Sequence, residues 1–67
     1  MIRIKTEATN RALMSAMFGW IDSYTSYVVE EIRAKPINIV REYEDSYLVK
    51  ITDGSTWKIP KTFCETT

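Results

Sequence analysis

The side chains able to carry chemistry are few, and they do not combine into a reactive site. Acidic residues cluster twice, at Glu30 and Glu31 and again in the run 42–45. Paired carboxylates can transfer protons or hold a divalent cation. Glu30 and Glu31, however, are neighbours on a predicted helix and therefore diverge, whereas Glu44 and Asp45 form a polar turn. The sequence therefore favours solvated charge at both clusters.

The single cysteine, Cys64, lacks the partners that a nucleophilic or metal-binding role needs. The chain contains no histidine, the usual base for an activated thiol. One cysteine is also too few for an internal disulfide or a structural zinc site. The two glycines lie far apart and form no phosphate-binding loop. We therefore expect a protein that is not an enzyme and that has no metal or cofactor.

The elements that position these residues must come from one small domain. A chain of 67 residues buries only about 60% of its unfolded surface, so small domains are often stabilised by oligomerisation or by a partner. No apolar region follows Met1, and no apolar run is long enough to span a membrane. Together with the lone cysteine, these patterns predict a cytoplasmic protein without a membrane segment.

The longest predicted element is an amphipathic helix over residues 7–34. Thr6 is the expected N-cap, and Pro36 ends the helix because the residue before a proline, Lys35, avoids the helical region. Apolar residues recur at helical spacing and form one stripe that we expect to face the core. The stripe consists of Leu13, Ala16, Met17, Trp20, Ile21, Tyr24, Tyr27, Val28 and Ile32.

Three features of this helix do not fit a simple packed rod. Phe18 and Val29 lie off the stripe, on one flank, which is either a partner surface or a wider core contact with the N-terminal strand or the Phe63 tail. Gly19 lies mid-helix, where it costs about 1 kcal/mol relative to alanine. A helix over 7–34 would be roughly 40 Å long, whereas a domain of this size has a radius of gyration of about 11 Å. Either the helix breaks near Gly19, or it stays whole and a second copy or a partner covers its overhanging end. Phe18 and Val29 favour the second interpretation.

The rest of the chain predicts a small antiparallel sheet. Apolar and basic residues alternate over 2–5, and after Pro36 the period changes from 3.6 to 2. The predicted strands are 2–5, 37–43, 47–52 and 55–59, followed by a polar tail over 61–67. The expected fold is therefore α+β in two layers, one long helix on one antiparallel sheet, in the order β-α-β-β-β.

The turn between the last two strands can be predicted in detail. A three-residue loop, 52–54, with Gly54 in the left-handed conformation, pairs Val49 with Trp57 and Tyr47 with Ile59. A two-residue loop would mix the two faces, so we favour the longer loop. The expected inner face then consists of Ile37, Ile39, Tyr43, Tyr47, Val49, Ile51, Trp57 and Ile59.

The outer face of this sheet is expected to be basic around an apolar centre. Val40 and Leu48 form the centre and Lys50 and Lys58 the basic rim, and Arg3 and Lys5 point outward too if the first strand joins the sheet. Such a face could bind nucleic acid. Nine basic and nine acidic side chains cancel, however, and the predicted register turns the aromatic rings that would stack on bases inward.

These patterns favour a small protein-interaction module over a nucleic-acid-binding module. We expect it to act as an inhibitor, adaptor or regulator of a larger protein, of the kind that phages and mobile elements encode, and to form a homo-oligomer. The expected partner-binding residues are Phe18, Val29, Val40 and Leu48. In the alternative, the residues that bind nucleic acid are Arg3, Lys5, Lys50 and Lys58.

Overall fold

The computed structural model describes residues 1–34 and 37–66. It confirms the α+β class, with two helices and two antiparallel sheets, but not the order β-α-β-β-β. The predicted helix end at Lys35 and Pro36, and Thr67 of the predicted tail, lie outside the described residues. In chain order the elements are β1 (Ile2–Ile4), α1 (Asn10–Phe18), α2 (Ser23–Ala34), β2 (Ile39–Glu42), β3 (Ser46–Lys50), β4 (Thr56–Pro60) and β5 (Cys64–Thr66), with a 3₁₀ turn over Lys61–Phe63 before β5.

The long helix is broken at Gly19, so the first of the two interpretations is the one observed. The N-cap of α1 is Thr9 rather than Thr6, and its hydroxyl accepts a hydrogen bond from the Ala12 amide at 3.1 Å. At the other end Gly19 adopts a left-handed conformation with φ of +83°, and its N–H donates to the carbonyls of Met14 and Ser15. This is the usual way in which a glycine ends a helix.

The second helix starts at Ser23, four residues after Gly19, because Asp22 caps it. The Asp22 carboxylate accepts a hydrogen bond from the Thr25 amide at 2.8 Å, and the Thr25 hydroxyl accepts one from the Asp22 amide at 2.9 Å. This reciprocal pair satisfies two amides at the helix start. The overhang that suggested a second copy is absent from the described residues, whose radius of gyration is 10.7 Å.

Substituting Gly19 with alanine distinguishes a helix break from a continuous helix. In the left-handed conformation alanine is strained, so we expect Gly19→Ala to lose about 1 kcal/mol of unfolding free energy and roughly 4–8 °C in Tm. No atom lies within 4 Å of the added methyl group, so the backbone alone sets this cost. In a continuous helix the same change would stabilise by a similar amount. Thermal melts would show whether the Tm falls or rises, with Ser15→Ala at an exposed position of α1 as the control.

The meander of β2, β3 and β4 has the register that the turn predicts. Tyr47 pairs with Ile59 and Val49 with Trp57. Gly54 has φ of +88°, and its amide donates to the Ile51 carbonyl at 3.0 Å. The three-residue loop is therefore confirmed, and Val49 and Ile59 share the buried face of this sheet.

The pairing of β2 departs from strict alternation and corrects one prediction. Ile39 lies opposite Val49, but Arg41 lies opposite Leu48, so β2 contains a bulge between these positions. The extra residue reverses the faces beyond it. Tyr43, whose amide donates to the Ser46 carbonyl at 2.8 Å, is therefore not on the inner face.

The first strand joins the C-terminal segment rather than the meander. β1 pairs antiparallel with β5, with Arg3 opposite Glu65 and Ile4 opposite Cys64. Part of the predicted polar tail is thus a strand, and Phe63 packs against the core. The two ends of the chain form a separate two-stranded sheet, so Arg3 and Lys5 do not extend the outer face of the meander.

The core combines residues from both helices and both sheets, and it differs from the predicted stripe on both sides of Gly19. Before Gly19, Ala16 is exposed and Met14, which lies off the stripe, is buried. Trp20, Ile21, Tyr24 and Tyr27 are exposed rather than buried. The break re-aims α2, so a helical wheel carried through Gly19 gives the wrong buried face for α2. The buried hydrophobic residues are Ile4, Leu13, Met14, Val28, Val29, Ile32, Val49 and Ile59. Neither described helix has the length and apolar composition needed to cross a membrane.

Candidate functional site

Five aromatic rings form a continuous row across the end of α1, the start of α2 and strand β4. We call this row the aromatic band: Trp20, Phe18, Trp57, Tyr24 and Tyr27. Successive ring centroids along it are 5.6, 4.8, 6.0 and 6.3 Å apart. The first three contacts are edge-to-face, a favourable geometry for aromatic pairs. The band therefore ties both helices to the sheet.

The outer members of the band are unusually exposed for their type. Trp20 is 54% exposed, and Tyr24 and Tyr27 are each 42% exposed. Ile21, beside Trp20 in the turn between the helices, is 47% exposed. Trp57 and Phe18 are half-buried beneath them. A cluster of this kind marks an interaction surface more often than a single exposed hydrophobic residue does.

Hydrogen bonds hold the two indoles of the band in place. The Trp20 Nε1–H donates to Asp22 Oδ2 at 3.1 Å, and the Trp57 Nε1–H donates to Ser55 Oγ at 2.8 Å. Trp20 is thus fixed to the same carboxylate that caps α2. Since both polar edges are satisfied internally, the exposed parts of these indoles are mainly apolar.

The band is flanked by negative charge. Hydrogen bonds, chiefly from the Thr25 amide, hold the pKa of Asp22 below its usual value, against a smaller opposing effect of desolvation. Glu30 and Glu31 follow Tyr27 by three and four residues, the spacing of neighbours on a helix surface. Glu30 is exposed, whereas the half-buried Glu31 accepts a hydrogen bond from the Thr52 hydroxyl at 2.7 Å. Residues 12–32 contain these three acids and no lysine or arginine. The segment that supplies four of the five rings is therefore anionic.

The predicted partner-binding residues are not brought together. Phe18 belongs to the aromatic band. Val29 is 1% exposed and lies in the core, which corrects its assignment to the partner-binding residues and agrees with the alternative of a wider core contact. Val40 is 51% exposed at the β2 bulge. Leu48 is half-buried on the sheet face opposite Val49 and Ile59.

The residues predicted to bind nucleic acid also separate into two places. Arg3 lies in the β1–β5 sheet, where its guanidinium contacts the Glu65 carboxylate at 2.7 Å, and Lys5 follows β1 directly. Lys50 and Lys58 remain on the face opposite the core.

That face, which we call the second sheet face, also carries a ring that sequence reasoning placed inside. It consists of Arg41, Tyr43, Leu48, Lys50 and Lys58. The Lys58 ammonium lies 4.5 Å from the Tyr43 ring centroid, and the Arg41 guanidinium 6.0 Å from it. The face therefore combines three cations with one outward aromatic ring.

The described residues show no constellation for metal or covalent chemistry. No three His, Cys, Asp or Glu side chains among them are grouped closely enough to hold a metal ion. Burial raises the pKa of the Cys64 thiol above its usual value, an effect that nearby Lys5 only partly offsets. A thiol of raised pKa is a poor nucleophile at neutral pH.

Sequence reasoning missed the exposure of Trp20, Tyr24 and Tyr27, although a signal for it was present. A glycine that ends one helix, followed three residues later by an aspartate with a threonine at the third helical position, is typical of a helix stop and restart. A separate helical wheel for each side of Gly19 would have allowed the buried face of the second helix to be predicted independently of the first.

No known protein-family model matches this chain, and no similar curated protein or solved structure was found.

Proposed function

We propose that this protein is a small, non-enzymatic interaction module that binds a different, larger protein through the aromatic band and thereby inhibits, recruits or regulates it. The observation that carries the proposal is the exposure of Trp20, Tyr24 and Tyr27 within one row of contacting rings. Tryptophan and tyrosine dominate the energetic centres of protein interfaces, since they bury a large area at a small entropic cost.

The charge beside the band favours a protein partner over nucleic acid at this surface. Single-stranded nucleic acid binds where aromatic rings are combined with cations that neutralise phosphates. Around this band the opposite holds, because Asp22, Glu30 and Glu31 are acidic and residues 12–32 include no base. Phosphates placed here would be repelled.

The same charge favours a different protein over a second copy of this chain. In a symmetric dimer built on the band, the same patch of each subunit would face its own copy. Asp22 and Glu30 of one subunit would then approach the same acids of the other, and like charges that meet in an interface are unfavourable. A homo-oligomer formed elsewhere on the molecule would not conflict with this proposal.

A tagged capture from the source cells tests the proposal. We expect wild-type protein to retain one stoichiometric protein after nuclease treatment, and the double variant Trp20→Ala/Tyr27→Ala to lose it. A variant of the second sheet face, Tyr43→Ala, is the matched control and should retain it. Retention by the band variant, or recovery of nucleic acid alone, would contradict the proposal.

A second candidate function, nucleic-acid binding, has one specific observation in its favour. The β2 bulge turns Tyr43 onto the second sheet face, between Arg41 and Lys58. A ring flanked by cations is the arrangement that single-stranded nucleic acid requires. Among the residues predicted for this role, Lys50 and Lys58 stay on the face, while Arg3 and Lys5 do not.

Salt dependence tests this second candidate. If the second sheet face binds a single-stranded oligonucleotide, the log–log slope of affinity against salt should be about −0.7 for each phosphate contacted. Lys50→Glu/Lys58→Glu should abolish binding, whereas charge reversal at Arg3 in the other sheet should leave it unchanged. Fluorescence anisotropy with a labelled oligonucleotide measures both. Equal binding by the double variant and wild type would end this candidate.

A further inference from the structure

We infer that the partner of the aromatic band presents arginine, so that a guanidinium stacks on the exposed rings and pairs with the acids beside them. The inference rests on the proposed function, and it deepens that function by naming the chemistry of the partner. Three observations support the inference. The aromatic surface is uncovered, residues 12–32 beside it include acids and no base, and the Asp22 carboxylate is hydrogen-bonded to the outermost ring, Trp20.

The rings are arranged so that a flat cation can lie against them. Phe18 meets Trp20 at 61°, and Trp57 meets Phe18 and Tyr24 at 62°. Because these rings meet edge to face instead of stacking in parallel, they do not cover one another fully. Trp20 keeps more than half of its surface exposed. Of the aromatic side chains, tryptophan attracts a cation most strongly.

A carboxylate lies within reach of a group stacked on Trp20. Asp22 accepts one hydrogen bond on each oxygen, from the Trp20 indole and from the Thr25 amide. The Thr25 hydroxyl and the Tyr24 amide also stabilise its charge, so a cation would be attracted chiefly by that charge. Asp22 is ionised at neutral pH, as an aspartate of ordinary pKa is. A guanidinium on Trp20 would therefore meet an anion at the edge of the ring.

The other end of the band repeats this combination of ring and acid. Tyr24 and Tyr27 are exposed, and the Glu30 side chain follows them on the same helix and is also exposed. Arginine suits such sites better than lysine, because its planar group stacks on rings and donates in a fork, whereas an ammonium is a compact and strongly hydrated charge. Two such ends would suit a segment that carries two or more arginines.

Titration of the full-length protein with short peptides tests the inference. The peptides are hexa-arginine, hexa-lysine and an uncharged Gly-Ser hexamer, each capped at both ends. The signal is the Trp20 indole N–H resonance in ¹⁵N-labelled protein, with the Leu48 amide on the second sheet face as the internal reference. We expect hexa-arginine to move the indole resonance and to bind more tightly than hexa-lysine, and the Gly-Ser peptide to have no effect.

Charge-matched variants separate a specific site from diffuse attraction. Glu30→Gln/Glu31→Gln should weaken hexa-arginine binding roughly fivefold. The control, Glu44→Gln/Asp45→Asn, removes the same number of charges from the β2–β3 turn and should change it little. Tyr24→Ala/Tyr27→Ala, which leaves the Trp20 end intact, should reduce the preference for arginine over lysine. Equal weakening by both charge variants, or equal affinity for the two cationic peptides, would overturn the inference.

The outcomes also distinguish this inference from the proposed function. If hexa-arginine leaves the Trp20 resonance unmoved while the capture experiment yields a protein that depends on the band, the arginine inference fails and the proposed function stands. If neither experiment gives a signal at the band, both fail. If an oligonucleotide moves the Trp20 resonance more than hexa-arginine does, both are overturned in favour of nucleic acid.

Discussion

Replacing Val29 with aspartate is expected to unfold the protein. Val29 is 1% exposed and packs in the core with Val28 and Ile32. An unpaired carboxylate there would cost several kcal/mol, because burial removes the water that stabilises its charge. A core of this size rarely supplies more than about 3–5 kcal/mol of net stability. Loss of the far-UV circular dichroism spectrum at 25 °C, with no cooperative melt, would record the effect.

Val40→Asp is the matched control, since it makes the same chemical change at a residue that is 51% exposed. It should shift the free energy of unfolding by about 0.5 kcal/mol or less, as surface substitutions usually do. A Val29→Asp variant that melts like wild type would show that Val29 belongs to the surface. That result would restore it to the partner-binding residues.

Replacing Trp20 and Tyr27 with alanine is expected to abolish partner binding while the fold survives. Central aromatic contacts typically cost at least 2 kcal/mol when truncated, which corresponds to roughly a 30-fold loss of affinity for one such residue. Both side chains are about half exposed, so their removal takes little from the core. Calorimetric titration with the captured partner measures the affinity, and a thermal melt checks the fold.

Tyr43→Ala serves as the control for this variant, because it removes an aromatic ring from the second sheet face. We expect unchanged affinity for the protein partner. If Tyr43→Ala weakens binding and the band variant does not, the second sheet face is the binding surface. The band would then be an apolar cluster without a partner.

The parts of the fold that the sequence predicted correctly depend on residues that are close together in the chain. The pairing of Val49 with Trp57 follows from two residues, Asp53 and Gly54, whose turn geometry allows only one register that buries a single face. The α+β class follows from the change of period after Pro36. In both cases neighbouring residues carry the whole signal, so no knowledge of distant contacts was needed.

The parts that sequence missed depend on contacts between distant residues. The pairing of β1 with β5 joins Ile4 to Cys64 across almost the whole chain, and nothing local in the polar tail requires a strand. The β2 bulge contains no glycine that would mark it, yet it decides the face on which Tyr43 lies. The predicted nucleic-acid surface therefore does not include Arg3 and Lys5, and it includes the Tyr43 ring, which was predicted to face inward.

The aromatic band was missed because its prediction depends on both local signals and distant contacts. The stop at Gly19 and the restart at Asp22 are local signals. A break near Gly19 was one of the two interpretations that this glycine and the length of the helix allowed. The rotation of α2 after the break is not a local property, because it depends on which of its residues join the core, as Val28 and Val29 do. Tyr24 and Tyr27 consequently changed from predicted core residues to exposed ones.

Photo-cross-linking from the band tests directly whether another protein binds there. A photoreactive benzoyl-phenylalanine replaces Tyr27 in the band or, as the control, Tyr43 on the second sheet face. Each protein is irradiated in the source cells, and its adducts are identified by mass spectrometry. We expect a single protein adduct from position 27, cross-linked through an arginine-containing segment, and none from position 43. Adducts from position 43 alone, or with nucleic acid at either position, would contradict this expectation.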